Sequence, residues 1–262
     1  MAVGGAQLDR PAVPRATLPY RLLKAALRPP AALLLRRPRV EGIAHVPAQG
    51  PVILCANHLS VADPVVMALP LPRMVCFLGK HESFGRRWRW LFTRLGVVPV
   101  AREGGAAAES SLERGRQVLA AGAVLALFPE GTRSPDGRLY RGKTGAARLA
   151  IRSGAPIVPI GISGTRAVLP PGALLPRRTT VSVRFGPPID LRRRYGGAED
   201  HEVLRAATDE VMAQIAALSG QERVDVYAAQ ARAAQAARRP VDDFARLRPD
   251  DDSLTLDDSR SA

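Results

Sequence analysis

The chain has 262 residues, 46% of them apolar and 24% charged, which is the composition of a globular protein of one large or two small domains. These values exclude a small disulfide-stabilised scaffold, a collagen-like chain and a fully disordered chain. The 38 basic and 24 acidic side chains leave a formal net charge of +14. We therefore expect anionic partners: phosphates, nucleic acid or a lipid surface.

Residues 1–37 are predicted to form an arm followed by an interfacial helical segment. Two short apolar stretches between Leu18 and Arg37 carry basic residues and are separated by Pro29-Pro30, which predicts a broken amphipathic helix in a lipid interface. The alternative is a pair of helices packed on the core. No stretch reaches the roughly 18 uncharged apolar residues of a spanning helix, and basic residues interrupt any secretory signal. A cytoplasmic location is expected.

Residues 38–220 alternate short apolar runs with helical patterns, which predicts a single α/β domain. Several runs are continuously apolar, as is typical of strands covered on both faces. We therefore expect a mixed sheet of about seven strands flanked by helices. The predicted strands are 39–44, 51–56, 73–78, 97–101, 123–128, 156–162 and 179–185. The predicted helices are 64–69, 84–94, 107–120, 143–153 and 199–218.

Some parts of the chain are assigned no chemistry. Residues 221–239 are compatible with a C-terminal helix, which would extend the preceding one, and the acidic residues 240–262 are predicted to be a disordered tail. Cys55 and Cys76 lie in apolar runs and are predicted to be buried thiols. The four histidines do not have metal-ligand spacing, so no metal site is predicted.

The first candidate site is the segment Asn57-His58-Leu59-Ser60-Val61-Ala62-Asp63-Pro64, which follows an apolar strand. Because His58 and Asp63 are five residues apart, or about 140° around a helix, they can pair only if the backbone turns between them. Pro64 favours the first helical position, so Asp63 is predicted to be the N-cap. Such a turn would let Asp63 fix the imidazole tautomer and leave the other nitrogen free to accept a proton. The alternative is a capping aspartate beside an ordinary loop histidine.

The second candidate site, Phe128-Pro129-Glu130-Gly131-Thr132-Arg133-Ser134, also follows an apolar strand. Ligands collect at strand ends in α/β folds, and a glycine, a hydroxyl and a guanidinium are suited to phosphate. Glu130 is expected either to orient Arg133 or to accept a hydrogen bond from a substrate hydroxyl. The alternative is a turn with a solvated arginine.

Together these segments resemble the first and third motifs of the glycerolipid acyltransferases typified by bacterial 1-acylglycerol-3-phosphate acyltransferase. Further blocks are similar to that family in the same order: 79–82, 96–102, 143–150 and 157–160. The resemblance covers residues 38–190, about 150 of the 262 residues. Ordered motifs over such a length are more specific than either motif alone.

The resemblance implies a glycerol-3-phosphate acyltransferase-like fold and the transfer of a fatty acyl group from acyl-CoA or acyl-carrier protein to lysophosphatidic acid, giving phosphatidic acid in phospholipid biosynthesis. It implies that His58 is the general base and that Asp63 orients it. The residues implied to hold the acceptor are Glu130, Gly131, Thr132 and Arg133, with Arg102 and Lys80 reaching its phosphate. No cofactor or metal is implied, and Lys143 is expected to be a solvated lysine at a helix start.

The acceptor lipid is a membrane component, and the basic residues of 18–37 favour an anionic leaflet. We therefore expect peripheral attachment to the inner face of the cell membrane. Alternatives are a family member acting on another lyso-lipid or on glycerol 3-phosphate, and a non-enzymatic protein that binds anionic lipid. Nucleic acid is not an expected partner because aromatic residues are only 5% of the chain. Residues 137–144 fit the P-loop pattern of nucleotide-binding proteins but do not directly follow a strand.

Overall fold

A seven-stranded mixed sheet forms the centre of the computed structural model, which describes residues 16–35, 38–80, 93–100, 105–168, 170 and 175–237. The strands are β1 Arg39–Glu41, β2 Val52–Ala56, β3 Val75–Lys80, β4 Val97–Val100, β5 Val124–Leu127, β6 Leu139–Tyr140, β7 Ile157–Ser163, β8 Ser182–Phe185 and β9 Arg223–Val224. The order in the main sheet is β1-β8-β7-β2-β5-β3-β4, and only β7 and β8 are antiparallel. The predicted mixed α/β sheet is confirmed.

Helices cover both faces of this sheet. They are α1 Leu18–Leu34, α2 Asp63–Ala68, α3 Gly105–Ala120, α4 Gly145–Ser153, α5 Thr165–Val168, α6 Leu191–Tyr195, α7 His201–Ser219 and α8 Ala228–Ala237. The predicted strand 39–44 ends earlier, at Glu41, and a 3-10 turn follows over Ile43–His45. The predicted helix 84–94 lies almost entirely outside the described residues.

The hydrophobic core has one layer on each face of the sheet. One layer packs α4 and α7 against alternate residues of the central strands, such as Ile53, Leu125 and Ile157. The other buries the intervening residues, such as Leu54 and Val124, and includes part of α2. All five residues of β2 are buried, which explains why its sequence is continuously apolar. The core therefore fixes the ends of the central strands, from which the candidate loops project.

The N-terminal segment differs from its prediction. It forms one helix, α1, that runs through Pro29 and Pro30. Each proline removes one backbone donor, but tertiary contacts hold both parts of the helix. The hydroxyl of Tyr20 accepts a hydrogen bond from the Val75 N–H at 3.3 Å, and Leu35, directly after the helix, is buried and bridges to Thr179. The prediction of a helix broken at the prolines is wrong because it considered local backbone preference alone.

The segment after α7 is not a continuation of that helix. The α7 helix ends at Ser219, β9 pairs in parallel with β6, and α8 then forms a separate short helix. Two backbone bonds, from Leu139 N–H to the Glu222 carbonyl and from Arg141 N–H to the Val226 carbonyl, fasten this segment to the chain after β5. The predicted acidic tail at 240–262 lies outside the described residues.

Helix α7 packs directly against β7 at Gly161. A Cβ atom at this position would lie 2.4 Å from both the Leu218 carbonyl carbon and the Ser219 nitrogen. Because those are backbone atoms, they can make room only if the helix moves. We expect Gly161→Ala to lower the free energy of unfolding by about 1–3 kcal/mol, measured by urea denaturation. A change below about 0.5 kcal/mol, the usual range for a surface substitution, would contradict this packing.

Candidate active site

The two predicted segments meet at one edge of the sheet. They follow β2 and β5, which are parallel neighbours with Cys55 in register with Leu127. The Ser134 N–H donates to the His58 carbonyl at 2.7 Å, so the two loops are joined by a backbone hydrogen bond. The buried Asn57 side chain fastens the start of the first loop to β7, donating to the Ile162 carbonyl at 2.8 Å and accepting from its N–H at 2.7 Å.

A single carboxylate oxygen organises the first loop. Oδ2 of the fully buried Asp63 accepts from Nδ1 of His58 at 2.8 Å and from the backbone N–H groups of Leu59 and Ser60 at 2.6 and 2.7 Å. The predicted pairing of His58 with Asp63 is therefore present. The predicted N-cap is wrong, since Ala62 precedes α2 and Asp63 is its first residue. Its carboxylate turns back to the loop and does not cap the helix.

The imidazole of His58 is held on a second side by Phe128. The two rings stack with centroids 4.0 Å apart and an interplanar angle of 15°. Because the Asp63 carboxylate accepts from Nδ1, that nitrogen carries a hydrogen and Nε2 keeps its lone pair in the neutral ring. Sequence reasoning did not assign a role to Phe128. Its position directly after a strand and two residues before the glutamate was the available signal.

Glu130 does not occupy the predicted position against a substrate. It is 1% exposed, and its oxygens accept from the backbone N–H groups of His58 at 2.9 Å and Tyr140 at 3.0 Å. It also does not bond to Arg133. The predicted contact with Arg133 was inferred from a neighbour in sequence, whereas the actual partners of Glu130 are 72 and 10 residues away. Glu130 therefore joins the backbone of His58 to the segment that leads to α4.

His58 faces a cavity of about 890 Å³ between the two loops, α3 and α4. Gly131, Thr132 and Arg133 line the same cavity, so the structure brings these predicted binding residues to the imidazole. Arg102 lies outside the described residues, and of Lys80 only the backbone, at the end of β3, is described. Among the described residues, no cluster of histidine, cysteine, aspartate or glutamate could hold a metal ion.

The segment that fits the P-loop pattern does not form an open phosphate loop. Leu139 and Tyr140 in its middle are buried in β6, and the Tyr140 N–H is bonded to Glu130. Such a backbone cannot wrap around a nucleotide phosphate, because at least this N–H is already used. Lys143, near the end of this segment, is exposed just before α4, as expected of a solvated lysine, and it also lines the cavity beside Gly131.

The buried Glu130 predicts a pH dependence of stability. Burial raises the pKa of its carboxyl from 4.5 to about 7, although its two backbone hydrogen bonds act in the opposite direction. Between these values the folded state binds more protons than the unfolded state, so this group's contribution to stability falls as pH rises from about 4.5 to 7. We compare the wild type with the variant Glu130→Gln, which lacks this titrating group. As pH rises through that range, the unfolding free energy of the wild type should fall by up to about 3 kcal/mol relative to that of the variant.

Urea denaturation of both proteins at pH 5 and pH 8 measures this difference. A wild-type advantage that stays constant with pH would show that the carboxyl titrates at its ordinary pKa, and one that rises with pH would show a lowered pKa; either result would contradict the prediction.

The sequence and fold both match known acyltransferases. Residues 37–163 match the family model described as Acyltransferase. A chloroplastic 1-acyl-sn-glycerol-3-phosphate acyltransferase from Brassica napus is 34% identical over 140 residues, covering 51% of this chain and 39% of that protein. A protein of the same name from Borreliella burgdorferi is 24% identical over 58% of this chain and 61% of its own length. The chain thus spans less than two thirds of the length of these relatives.

A solved acyltransferase structure is also similar to this chain. The crystal structure of the 1-acyl-sn-glycerophosphate acyltransferase PlsC from Thermotoga maritima is similar with a TM-score of 0.59 and 26% identity. The similarity covers 74% of this chain and 77% of that one. The sheet, the two loops and these matches together show that the chain is similar in sequence and fold to the 1-acyl-sn-glycerol-3-phosphate acyltransferases, and that residues 37–163 form its acyltransferase-type region.

Proposed function

We propose that this protein transfers a fatty acyl group from acyl-CoA or acyl-carrier protein to the free hydroxyl of 1-acylglycerol 3-phosphate, giving phosphatidic acid for phospholipid synthesis. The observation that carries this proposal is the shared cavity. The His58 imidazole, oriented by Asp63, and the Arg133 side chain open onto one space. A base and an anion-binding cation are thus available to the same molecule, as a phosphorylated alcohol requires.

In this mechanism, Nε2 of His58 removes the proton of the acceptor hydroxyl as its oxygen attacks the thioester carbonyl carbon. The resulting tetrahedral intermediate collapses to the new ester and releases the thiolate, which takes the proton back from the imidazolium. Asp63 stabilises the imidazolium through its contact with Nδ1. No covalent acyl-enzyme is needed, because base, alcohol and thioester react within one complex.

The cavity wall fits an amphiphilic substrate. Thr132 and Arg133 offer a hydroxyl and a guanidinium on one part of the wall. The remainder includes apolar side chains from four elements and one loop: Phe77, Leu78, Leu112, Leu127, Phe128 and Leu149. These side chains supply the apolar environment that an acyl chain needs, while the polar groups fix the phosphate end. Both chemical parts of lysophosphatidic acid therefore find matching groups.

The proposed reaction is tested with purified protein, radiolabelled acyl-CoA and a panel of acceptors containing lysophosphatidic acid, glycerol 3-phosphate and other lyso-lipids. We expect labelled phosphatidic acid as the main product. His58→Ala should lower kcat about 10²–10⁴-fold, because the general base is lost. It should leave binding of the acceptor lipid nearly unchanged.

His201→Ala is the matched control, since His201 is an exposed residue at the start of α7 and does not line the cavity. Lipid binding without labelled product from any acceptor would instead indicate a non-enzymatic lipid-binding protein. Activity on another acceptor alone would leave the reaction class intact and replace the substrate.

We also propose that α1 attaches the protein to an anionic membrane surface, the inner face of the cell membrane. At about 100° per residue, Leu18, Leu22 and Leu33 fall within an arc of about 60° on the helix. These leucines are 66%, 60% and 68% exposed. Tyr20 and Lys24, which bond to Val75 and to the Leu71 carbonyl, lie on the opposite side. The helix therefore docks by one face and presents leucines on the other.

The charges around this leucine face fit the same role. Arg21 and Arg28 are exposed and project between the docked face and the leucine face, where they can reach lipid phosphates while the leucines insert. None of the helices in the described part of the chain has both the length and the hydropathy of a bilayer-spanning helix. Shallow insertion of apolar side chains together with basic side chains is sufficient for reversible attachment.

Membrane attachment is tested by co-sedimentation with vesicles of phosphatidylglycerol and phosphatidylcholine. The double variant Leu22→Asp with Leu33→Asp should lose most of its binding, because it places two carboxylates in the inserted face. Binding of the wild type should also weaken as salt is raised. Val226→Asp is the control, as Val226 is an exposed apolar residue away from α1. Equal sedimentation of all three proteins would contradict the proposal.

A further inference from the structure

Two cationic side chains of the cavity have no role in the mechanism above. Lys143 and Arg148 line the cavity together with His58 and Arg133. No aspartate or glutamate is among its described lining residues. Like charges gathered around one space raise its positive potential and favour an anionic ligand. These two cations are therefore suited to bind an anion in the cavity.

Lys143 lies directly against the second loop. A Cβ atom at Gly131, whose φ is +73°, would be 3.2 Å from Nζ and 3.1 Å from Cε of Lys143. The backbone holds this arrangement, since the Lys143 N–H donates to the Pro129 carbonyl at 2.8 Å. The ammonium group therefore lies at the loop that carries Thr132 and Arg133, and it forms no ion pair with a described carboxylate.

Arg148 belongs to α4, one turn after the helix begins. Its Nε is buried and has no hydrogen-bond partner among the described residues. By contrast, Arg152, one turn further along the same helix, is paired with Glu199 at 2.8 Å and with Glu109 at 3.7 Å. Arg148 as a whole is half-buried, but a buried guanidinium N–H without an acceptor is costly unless a ligand supplies one. Its position in the cavity wall indicates that the acceptor is a bound anion.

We propose that Lys143 and Arg148 bind a phosphate group of a substrate inside the cavity that holds His58. The proposal deepens the proposed acyl transfer and rests on it for the identity of the substrates. The phosphate has two sources in that reaction, the phosphomonoester of the acceptor and the phosphates of the acyl donor. Phosphate fits both cations, since its oxygens can accept from the ammonium and from the guanidinium together.

The first measurement does not depend on turnover. Binding of inorganic phosphate and of glycerol 3-phosphate is followed by ³¹P line broadening with the wild type, Lys143→Gln, Arg148→Gln and the control Arg152→Gln. Loss of one charge-assisted contact should weaken binding about 10- to 100-fold in each cavity variant. Arg152→Gln should bind as the wild type does, because Arg152 does not line the cavity. The conservative variant Arg148→Lys should recover part of the affinity.

The second measurement identifies the source of the phosphate. If it belongs to the acceptor, both cavity variants should raise KM for lysophosphatidic acid about 10- to 100-fold and leave KM for acyl-CoA unchanged. If it belongs to the donor, they should raise KM for acyl-CoA but not for an acyl-pantetheine thioester, which carries no phosphate. Either result supports the proposal.

Unchanged phosphate binding in folded Lys143→Gln and Arg148→Gln proteins would overturn it. Thermal unfolding of each variant separates a lost contact from a lost fold. If the wild type binds phosphate through these residues but acylates no acceptor, the phosphate site stands and the proposed function fails.

Discussion

One oxygen atom, Oδ2 of Asp63, holds the first loop of the candidate active site in its conformation. It accepts three hydrogen bonds, from the imidazole of His58 and from the next two backbone N–H groups, while Oδ1 is buried and has no partner among the described residues. All three contacts that hold the loop therefore pass through one atom of that carboxylate. Removal of Asp63 would leave three donors, one buried and two half-buried, without their acceptor, which would destabilise the loop.

A second buried carboxylate fixes the backbone of the same histidine. Glu130 accepts from the His58 N–H, Asp63 holds the ring nitrogen, and Phe128 covers one ring face. The imidazole is thus positioned by contacts at three separate points, two of them from the loop after β5. This explains how a residue in a loop can keep the precision that proton transfer requires.

Much of the fold could be predicted from the sequence, because continuous apolar runs between helical patterns identify buried parallel strands. The sequence also predicts that both loops follow such strands, while the pairing of β2 with β5 brings them together. The partners of Glu130 and of the Lys143 backbone could not be predicted, because tertiary contacts set them: His58 lies 72 residues from Glu130, and the Lys143 N–H bonds to the Pro129 carbonyl. The unbroken α1 also depends on distant contacts, those of Tyr20 and Leu35, which outweigh two prolines.

The segment that follows α7 supports the second loop from outside the region shared with the family model. Residues 222 and 226 accept backbone hydrogen bonds from the segment after β5, and Arg232 Nε donates to the Arg133 carbonyl at 3.1 Å. These supports are translated about a hundred residues after the loop they hold, and chains are synthesised from the N-terminus. On the ribosome, the sheet can therefore form while this loop still lacks its outer supports. The order of synthesis delays the completion of the second loop until the rest of the domain has been made.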